Sequence, residues 1–175
     1  MSKLGLNVGS GQRPFTSTPE VKWINVDTVA RTDQPLDLLC DGAHLPAFYD
    51  ANVDYFVLHH VLEHFGLGEG ASLIKEAHRV LKPGGSLLLF IPDIRALATR
   101  WLRGEITDYI FMVNMMGAYM GNEEDRHRWH YTVDSLPKFL YDCANWSRLQ
   151  MFDWRDISGA TPARDWWILE VEGIK

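Results

Sequence analysis

Two buried-strand runs joined by an amphipathic helix constrain this chain more than any other feature in it. Val53-Asp-Tyr-Phe-Val-Leu58 and Ser86-Leu-Leu-Leu-Phe-Ile91 are dominated by large apolar residues, and Glu69 to Leu81 lies between them. In that helix Leu73, Ala77, Val80 and Leu81 share one face, while Lys75, Glu76 and Arg79 face water. Lys82-Pro-Gly-Gly85 ends it, because proline and paired glycine do not continue a helical ladder. His59 to Phe65 turns off the first strand. A strand apolar on both faces needs cover on both, so the unit predicts a mostly parallel, doubly wound α/β sheet.

Upstream, Leu4-Gly-Leu-Asn-Val-Gly-Ser-Gly11 reads as a first buried strand, Leu4 to Val8, that runs into a Gly-x-Gly bend. Ligands of open α/β sheets lie beyond the carboxyl ends of the strands, and backbone without Cβ atoms lets them approach closely. A glycine turn with no ligand fits the same residues. Gly9 to Glu20 contains Pro14 and Pro19 and no helical periodicity, so the first crossover helix is expected to be missing or very short. Arg13 and free loop amides would then hold an anion in place of a helix amino terminus. Val21 to Asp27 alternates as a second strand ending on a carboxylate, which either accepts hydrogen bonds from a ribose or caps its own turn. Asp37 to Asp41 is a short third strand; Asp41 and the amides around Gly42 could read an adenine edge.

With 175 residues the chain is expected to be one domain, 1–175. A net charge of −6 creates no global positive field, so neither nucleic acid nor an anionic membrane is expected as a partner. Cys40 and Cys143 lie far apart with no metal spacing, which predicts a reduced, cytoplasmic chain. The start has no apolar signal core, and no apolar run is long enough to span a bilayer.

Ile94 to Arg103 and Glu105 to Met120 read as two helices separated by Gly104. The second, rich in Ile, Val, Met and Tyr, is expected to be largely covered. It is either core or a lid whose methionines and aromatics shape an acceptor pocket or a homodimer contact. Residues 94–131 are therefore expected to form a helical cap, including a charged loop with His127 and His130. A helix from Thr132 to about Ala144, capped by Thr132 or Asp134, and two strands, Leu149 to Trp154 and Trp166 to Glu172, complete the chain.

Leu6-Asn-Val-Gly-Ser-Gly11, Asp27, Asp41 with Leu45-Pro46, His60-Val-Leu-Glu-His64 and Arg79-Val-Leu-Lys-Pro-Gly-Gly85 follow one another in a familiar order. Over about residues 4 to 93 the chain resembles the class I S-adenosylmethionine-dependent methyltransferases, in particular small members with Leu-Asn-x-Gly-x-Gly, His-Val-Leu-Glu-His and Arg-Val-Leu-Lys-Pro-Gly-Gly signatures. The resemblance implies a seven-stranded Rossmann-like sheet with an antiparallel last strand, and S-adenosylmethionine as cofactor. It implies that Gly9, Ser10 and Gly11 line the methionine moiety, Asp27 holds the ribose, Asp41 and Gly42 lie against adenine, and His59 stands beside the cofactor. Asn7, where many members carry an acid, is counted with this cofactor-binding set.

The implied activity is methyl transfer to an oxygen or nitrogen of a small molecule or sugar. The other readings are a non-catalytic protein holding S-adenosylmethionine or S-adenosylhomocysteine in an assembly, and a nicotinamide dehydrogenase, which the absent third glycine and first helix disfavour. An alcohol or amine acceptor must lose a proton, and histidine suits that task near neutral pH. His127 and His130 are the candidate bases, ahead of His64 and Asp93. His60-x-x-Glu63-His64 also fits a zinc-protease signature, but it opens off a strand rather than lying within a long helix. Related small-RNA and ubiquinone-pathway methyltransferases carry Glu-x-x-Glu-His at this place, and the former bind magnesium through it. With His60 in place of the first Glu, zinc or manganese would suit the residues better than magnesium. The expectation is a plain pocket wall and no metal.

Overall fold

The structure is a computed structural model, described over residues 2–30, 32–118, 123–151 and 168–175. The strands are β1 (Lys3–Val8), β2 (Val21–Asp27), β3 (Leu38–Leu39), β4 (Val53–His59), β5 (Leu81–Pro92), β6 (Arg148–Met151) and β7 (Ile168–Ile174). The helices are α1 (Leu67–Val80), α2 (Ile94–Leu102), α3 (Asp108–Met116) and α4 (Ser135–Cys143), with 3₁₀ turns at Leu62–His64 and Glu123–Asp125. The strands form one sheet in the order β3-β2-β1-β4-β5-β7-β6. β1 to β5 pair in parallel, and β7 runs antiparallel to both β5 and β6. This is the doubly wound, Rossmann-like sheet that the sequence predicts. Strand order reverses between β1 and β4, and such a switch point opens a crevice at the carboxyl ends of the two strands.

The period of two along each strand sorts residues between two unequal layers. Leu6, Val8, Phe56, Leu58, Leu87 and Leu89 point to the larger core, where α1 contributes Leu73, Ile74, Ala77 and Val80 and α4 contributes Leu136 and Leu140. The other face carries Phe15, Val21, Trp23, Val57, Leu88 and Phe90. No residue of 9–20 is helical, as expected from its prolines. That segment covers the sheet as an extended loop, with Phe15 edge-on to Trp23 at 4.9 Å and Trp23 stacked on Tyr55 at 6.1 Å. Gly5 faces Trp23 across the β1–β2 ladder, and a Cβ there would overlap the indole ring.

An extended loop laid over a sheet must still pair its backbone groups. Asn25 does this: its Oδ1 accepts the Phe15 N–H at 2.7 Å, and its Nδ2 donates to the Phe15 carbonyl at 3.0 Å. Asn7 Nδ2 donates to Asn25 Oδ1 at 2.9 Å and to the Arg13 carbonyl at 3.0 Å. Two buried asparagines thus do the work of the absent crossover helix.

The second half departs more from expectation. α3 is shorter than 105–120, and none of its residues is fully buried. Tyr109, Met112 and Met116 are 76%, 52% and 59% exposed. The Thr107 hydroxyl accepts the Ile110 N–H at one end and Gly117, at φ 83°, stops the helix at the other. Its packing on α2 rests on Trp101 stacked against Phe111 at 4.5 Å. α4 begins three residues later than expected, because Thr132 and Ser135 exchange backbone-to-hydroxyl hydrogen bonds ahead of it. Of the two final strands, residues 152–154 and 166–167 lie outside the described residues. Among the described residues no helix is long and apolar enough to cross a membrane.

Candidate active site

The glycine bend leaves β1 with Gly9 at φ 69° and Gly11 at φ 50°, a region that glycine occupies without strain. The Gly9 and Ser10 N–H groups donate to the Val26 carbonyl at 2.8 and 3.1 Å. A Cβ on Gly9 would also lie 2.5 Å from Val61, which sits just past β4. Gly9 is therefore a point of close approach between the end of β1 and the turn after β4.

Asp27 receives the bend. Its Oδ2 accepts the Gly11 N–H at 2.8 Å and its Oδ1 accepts the Val29 N–H at 3.0 Å. A carboxylate has about four acceptor positions, so roughly two of them remain for another donor. One strand over, the Asp41 carboxylate accepts the Ala43 N–H at 2.9 Å. Gly42 packs so closely on Val8 that a Cβ would clash with it.

A cavity of about 530 Å³ lies at these strand ends. Gly9, Gly11, Asp27, Asp41 and Gly42 line it, as do His60, Val61 and His64 across the crevice. Its size is that of a cofactor site, and bare backbone with two strand-end carboxylates on one rim suits a ribose-bearing cationic ligand. Thr28, Phe65, Ser72 and Arg128 also reach the wall, and sequence reasoning did not select them. Thr28 adjoins Asp27 in the chain, a signal of sorts; Arg128 gave none, because only tertiary contacts bring its loop there.

Three residues of the expected cofactor set stand apart. Asn7 is buried, and its amide is committed to Asn25 and Arg13. Ser10 is buried within the bend, and His59 is buried between Phe90, at 5.1 Å, and His60, at 4.9 Å. None of the three lines the cavity. Burial pushes the His59 imidazole down to about 3, with the neighbouring His60 and Arg13 charges adding to the effect, so it is neutral.

The turn after β4 holds the densest polar cluster. His60 adopts φ 56°, uncommon for a residue with a side chain, and its N–H donates to the Phe90 carbonyl at 2.9 Å. Its Nδ1 lies 3.0 Å from Glu63 Oε1. Glu63 is 1% exposed. Burial works to raise its carboxyl, but the His60 hydrogen bond and the charges of His60, His64 and His127 outweigh burial and hold it below the usual range. The Glu63 backbone carbonyl accepts the Arg128 and Trp129 N–H groups at 2.8 and 3.2 Å, which docks the charged loop against this turn. The loop brings the His127 ring to 4.8 Å from His64, with His130 5.9 Å beyond it. His127 and His130 are half-buried, and burial lowers both imidazoles below their ordinary value. Neither lines the cavity; His64 does, with His127 against it. Of the expected cap, the loop residues Glu124, Asp125 and Arg128 reach the cavity, while α2 and α3 do not.

A seven-stranded α/β sheet with a glycine bend and strand-end carboxylates around a cavity at its switch point defines the nucleotide-cofactor-binding class of doubly wound proteins. Residues 7–89 match the methyltransferase domain family. The whole chain also superposes on solved S-adenosylmethionine-dependent methyltransferases. A Thermotoga maritima enzyme has a TM-score of 0.63 and 16% identity, over 99% of this chain and 82% of that one. A Burkholderia thailandensis 1,6-didemethyltoxoflavin N1-methyltransferase, solved with its substrate and S-adenosylhomocysteine, has a TM-score of 0.60 and 14% identity, over 99% and 71%. A Haloferax volcanii methyltransferase, solved with its Trm112 activator, has a TM-score of 0.57 and 16% identity, over 99% and 82%. No curated protein matches the sequence significantly. Residues 7–89 thus carry the sequence pattern of a methyltransferase domain, and the whole chain shares the fold of S-adenosylmethionine-dependent methyltransferases.

Proposed function

We propose that the protein methylates an oxygen or nitrogen of a small molecule or sugar by in-line displacement. The observation that supports this most is convergence: the glycine bend, Asp27, Asp41 and the His60–His64 turn surround one cavity. In this reading Gly9 and Gly11 offer backbone to the methionine moiety, Asp27 uses its free acceptor positions for the ribose hydroxyls, and Asp41 with Gly42 flanks adenine. Asn7, Ser10 and His59 support that surface from behind. The cofactor supplies a sulfonium-bound methyl, whose carbon–sulfur bond breaks as the bond to the acceptor forms. The chain's task is to hold the acceptor lone pair in line and take its proton, and orientation supplies much of the rate. His127 and His130, whose imidazoles burial lowers below their ordinary value, are the proposed proton acceptors, reached past His64. Of residues 94–131, the loop that carries Glu124, Asp125 and Arg128 acts as the cap over this end. Free thiols at Cys40 and Cys143 are consistent with a cytoplasmic setting.

A second reading is a binding protein that keeps the cofactor in an assembly, or a homodimer; the exposed Tyr109, Met112 and Met116 of α3 favour it. Isothermal titration with S-adenosylmethionine, S-adenosylhomocysteine and NAD tests the site, and release of S-adenosylhomocysteine with a panel of hydroxyl and amine acceptors tests turnover. Binding of the first two with acceptor-dependent release is expected. Binding of NAD alone would overturn the cofactor assignment, and binding without release from any acceptor would favour the second reading.

A further inference from the structure

The polar cluster behind the cavity contains unmet valence. Glu63 Oε2 and His64 Nδ1 are buried and make no hydrogen bond. A buried carboxylate oxygen without a partner costs several kcal/mol in an ordinary protein interior. Glu63 is also the only acidic side chain buried to this degree among the described residues. His127 stands beside these two, and one ligand atom from each of Glu63, His64 and His127 lies within 4.8 Å of the others.

We propose that Glu63, His64 and His127 bind one divalent transition-metal ion of the zinc class. Ligands bonded at about 2.1 Å in a tetrahedral site lie about 3.4 Å apart, so the trio closes by up to about 1.4 Å on loading. The surrounding contacts prepare each ligand. His60 Nδ1 donates to Glu63 Oε1, which leaves Oε2 without a partner of its own. His127 Nδ1 lies 2.7 Å from the Asn114 carbonyl; donating there fixes the tautomer and leaves the Nε2 lone pair free. The His127 backbone is anchored too, with its N–H on the Met116 carbonyl at 3.2 Å. Two imidazoles and one carboxylate suit zinc, cobalt or manganese rather than magnesium or calcium, which prefer oxygen. Three protein ligands leave a coordination position open, and His64 carries the site to the cavity wall.

The metal site stands independently of the methyl-transfer reading. Its consequence for that reading is that a ligating His127 cannot also take a proton, which leaves His130 as the base of the two.

The test uses untagged full-length protein, stripped with chelator and titrated with cobalt(II) by visible absorption and calorimetry, with zinc and manganese in competition. One ion per chain is expected, with the absorption of a low-coordinate site and displacement by zinc. His127→Ala, in a half-buried loop position outside the cavity lining, and the near-isosteric Glu63→Gln should each weaken binding at least about 100-fold. S-adenosylhomocysteine affinity of His127→Ala, measured in parallel, reports separately on the fold and the cofactor cavity. No stoichiometric uptake of any of the three metals, or uptake that both variants leave unmoved, overturns the site. Metal uptake without S-adenosylhomocysteine binding would sink the cofactor reading alone.

Discussion

The Gly11 N–H donates to Asp27 Oδ2 at 2.8 Å, tying the bend after β1 to the end of β2. A strand-end carboxylate that caps a turn and one that holds a ribose are usually treated as rivals. In this geometry the cap consumes only part of the carboxylate's accepting capacity, so both roles fit one side chain.

Asp27→Ala should weaken S-adenosylhomocysteine binding by about 1–3 kcal/mol, through lost charge-assisted hydrogen bonds and a loosened bend. Calorimetry of the purified variant checks this. An affinity equal to wild type would mean that Asp27 is only a turn cap.

Asn25→Ala removes the acceptor for the Phe15 N–H and for Asn7 Nδ2, both buried. A loss of about 2–6 kcal/mol in folding stability is expected, at 1–3 kcal/mol per stranded group. Urea denaturation measures it; a change below about 1 kcal/mol would show that water replaces Asn25 and that the loop is not anchored there.

His59 is neutral in the folded protein, with a pKa of about 3, against an unfolded value near 6.5. Between those values the unfolded chain binds the extra proton, so stability is full above about pH 6.5 and falls as pH drops below it. The His59 contribution to the slope is at most about 1.4 kcal/mol per pH unit. His59→Phe should flatten the dependence of the urea midpoint between pH 7 and 5. An unaltered slope would place the acid sensitivity in other groups.

His130→Ala should reduce kcat by about 10²–10⁴ with an active acceptor, while S-adenosylhomocysteine affinity stays at the wild-type value. A general base also produces an acidic limb in the pH–rate profile, which the variant should lose. Retention of both kcat and the limb would remove His130 from the reaction.

Gly9→Ala must bear φ 69° and a methyl group 2.5 Å from Val61. Destabilisation of at least about 1–3 kcal/mol is expected from the backbone alone. Differential scanning calorimetry gives the shift, and a Val61→Ala, Gly9→Ala double variant should recover the part due to the clash.

The local signals in the sequence were strong where they were periodic. Alternation and apolar runs located β1, β2, β4 and β5, and one amphipathic face located α1, because each pattern reflects a layer that must be buried whatever lies beyond it. The prolines at 14 and 19 announced that no helix would follow β1. α3 misled: its apolar residues are scattered around the helix rather than gathered on one side, so content suggested burial where the structure leaves a largely open surface. Asn7 misled differently. A polar residue before a glycine bend looks like a ligand contact, and only the folded sheet shows Asn25 standing next to it on the neighbouring strand.

By itself, then, the sequence determined the parallel α/β grammar, the glycine bend and the carboxylates at the strand ends, since these depend on short-range periodicity and backbone freedom. Tertiary structure alone decided which polar residues face the cavity and which sit behind it, and it brought His127 to Glu63 and His64 across more than sixty residues of chain. The reason is physical: a side chain's environment is set by strand register and loop docking, and neither can be read from residues that are neighbours only in space.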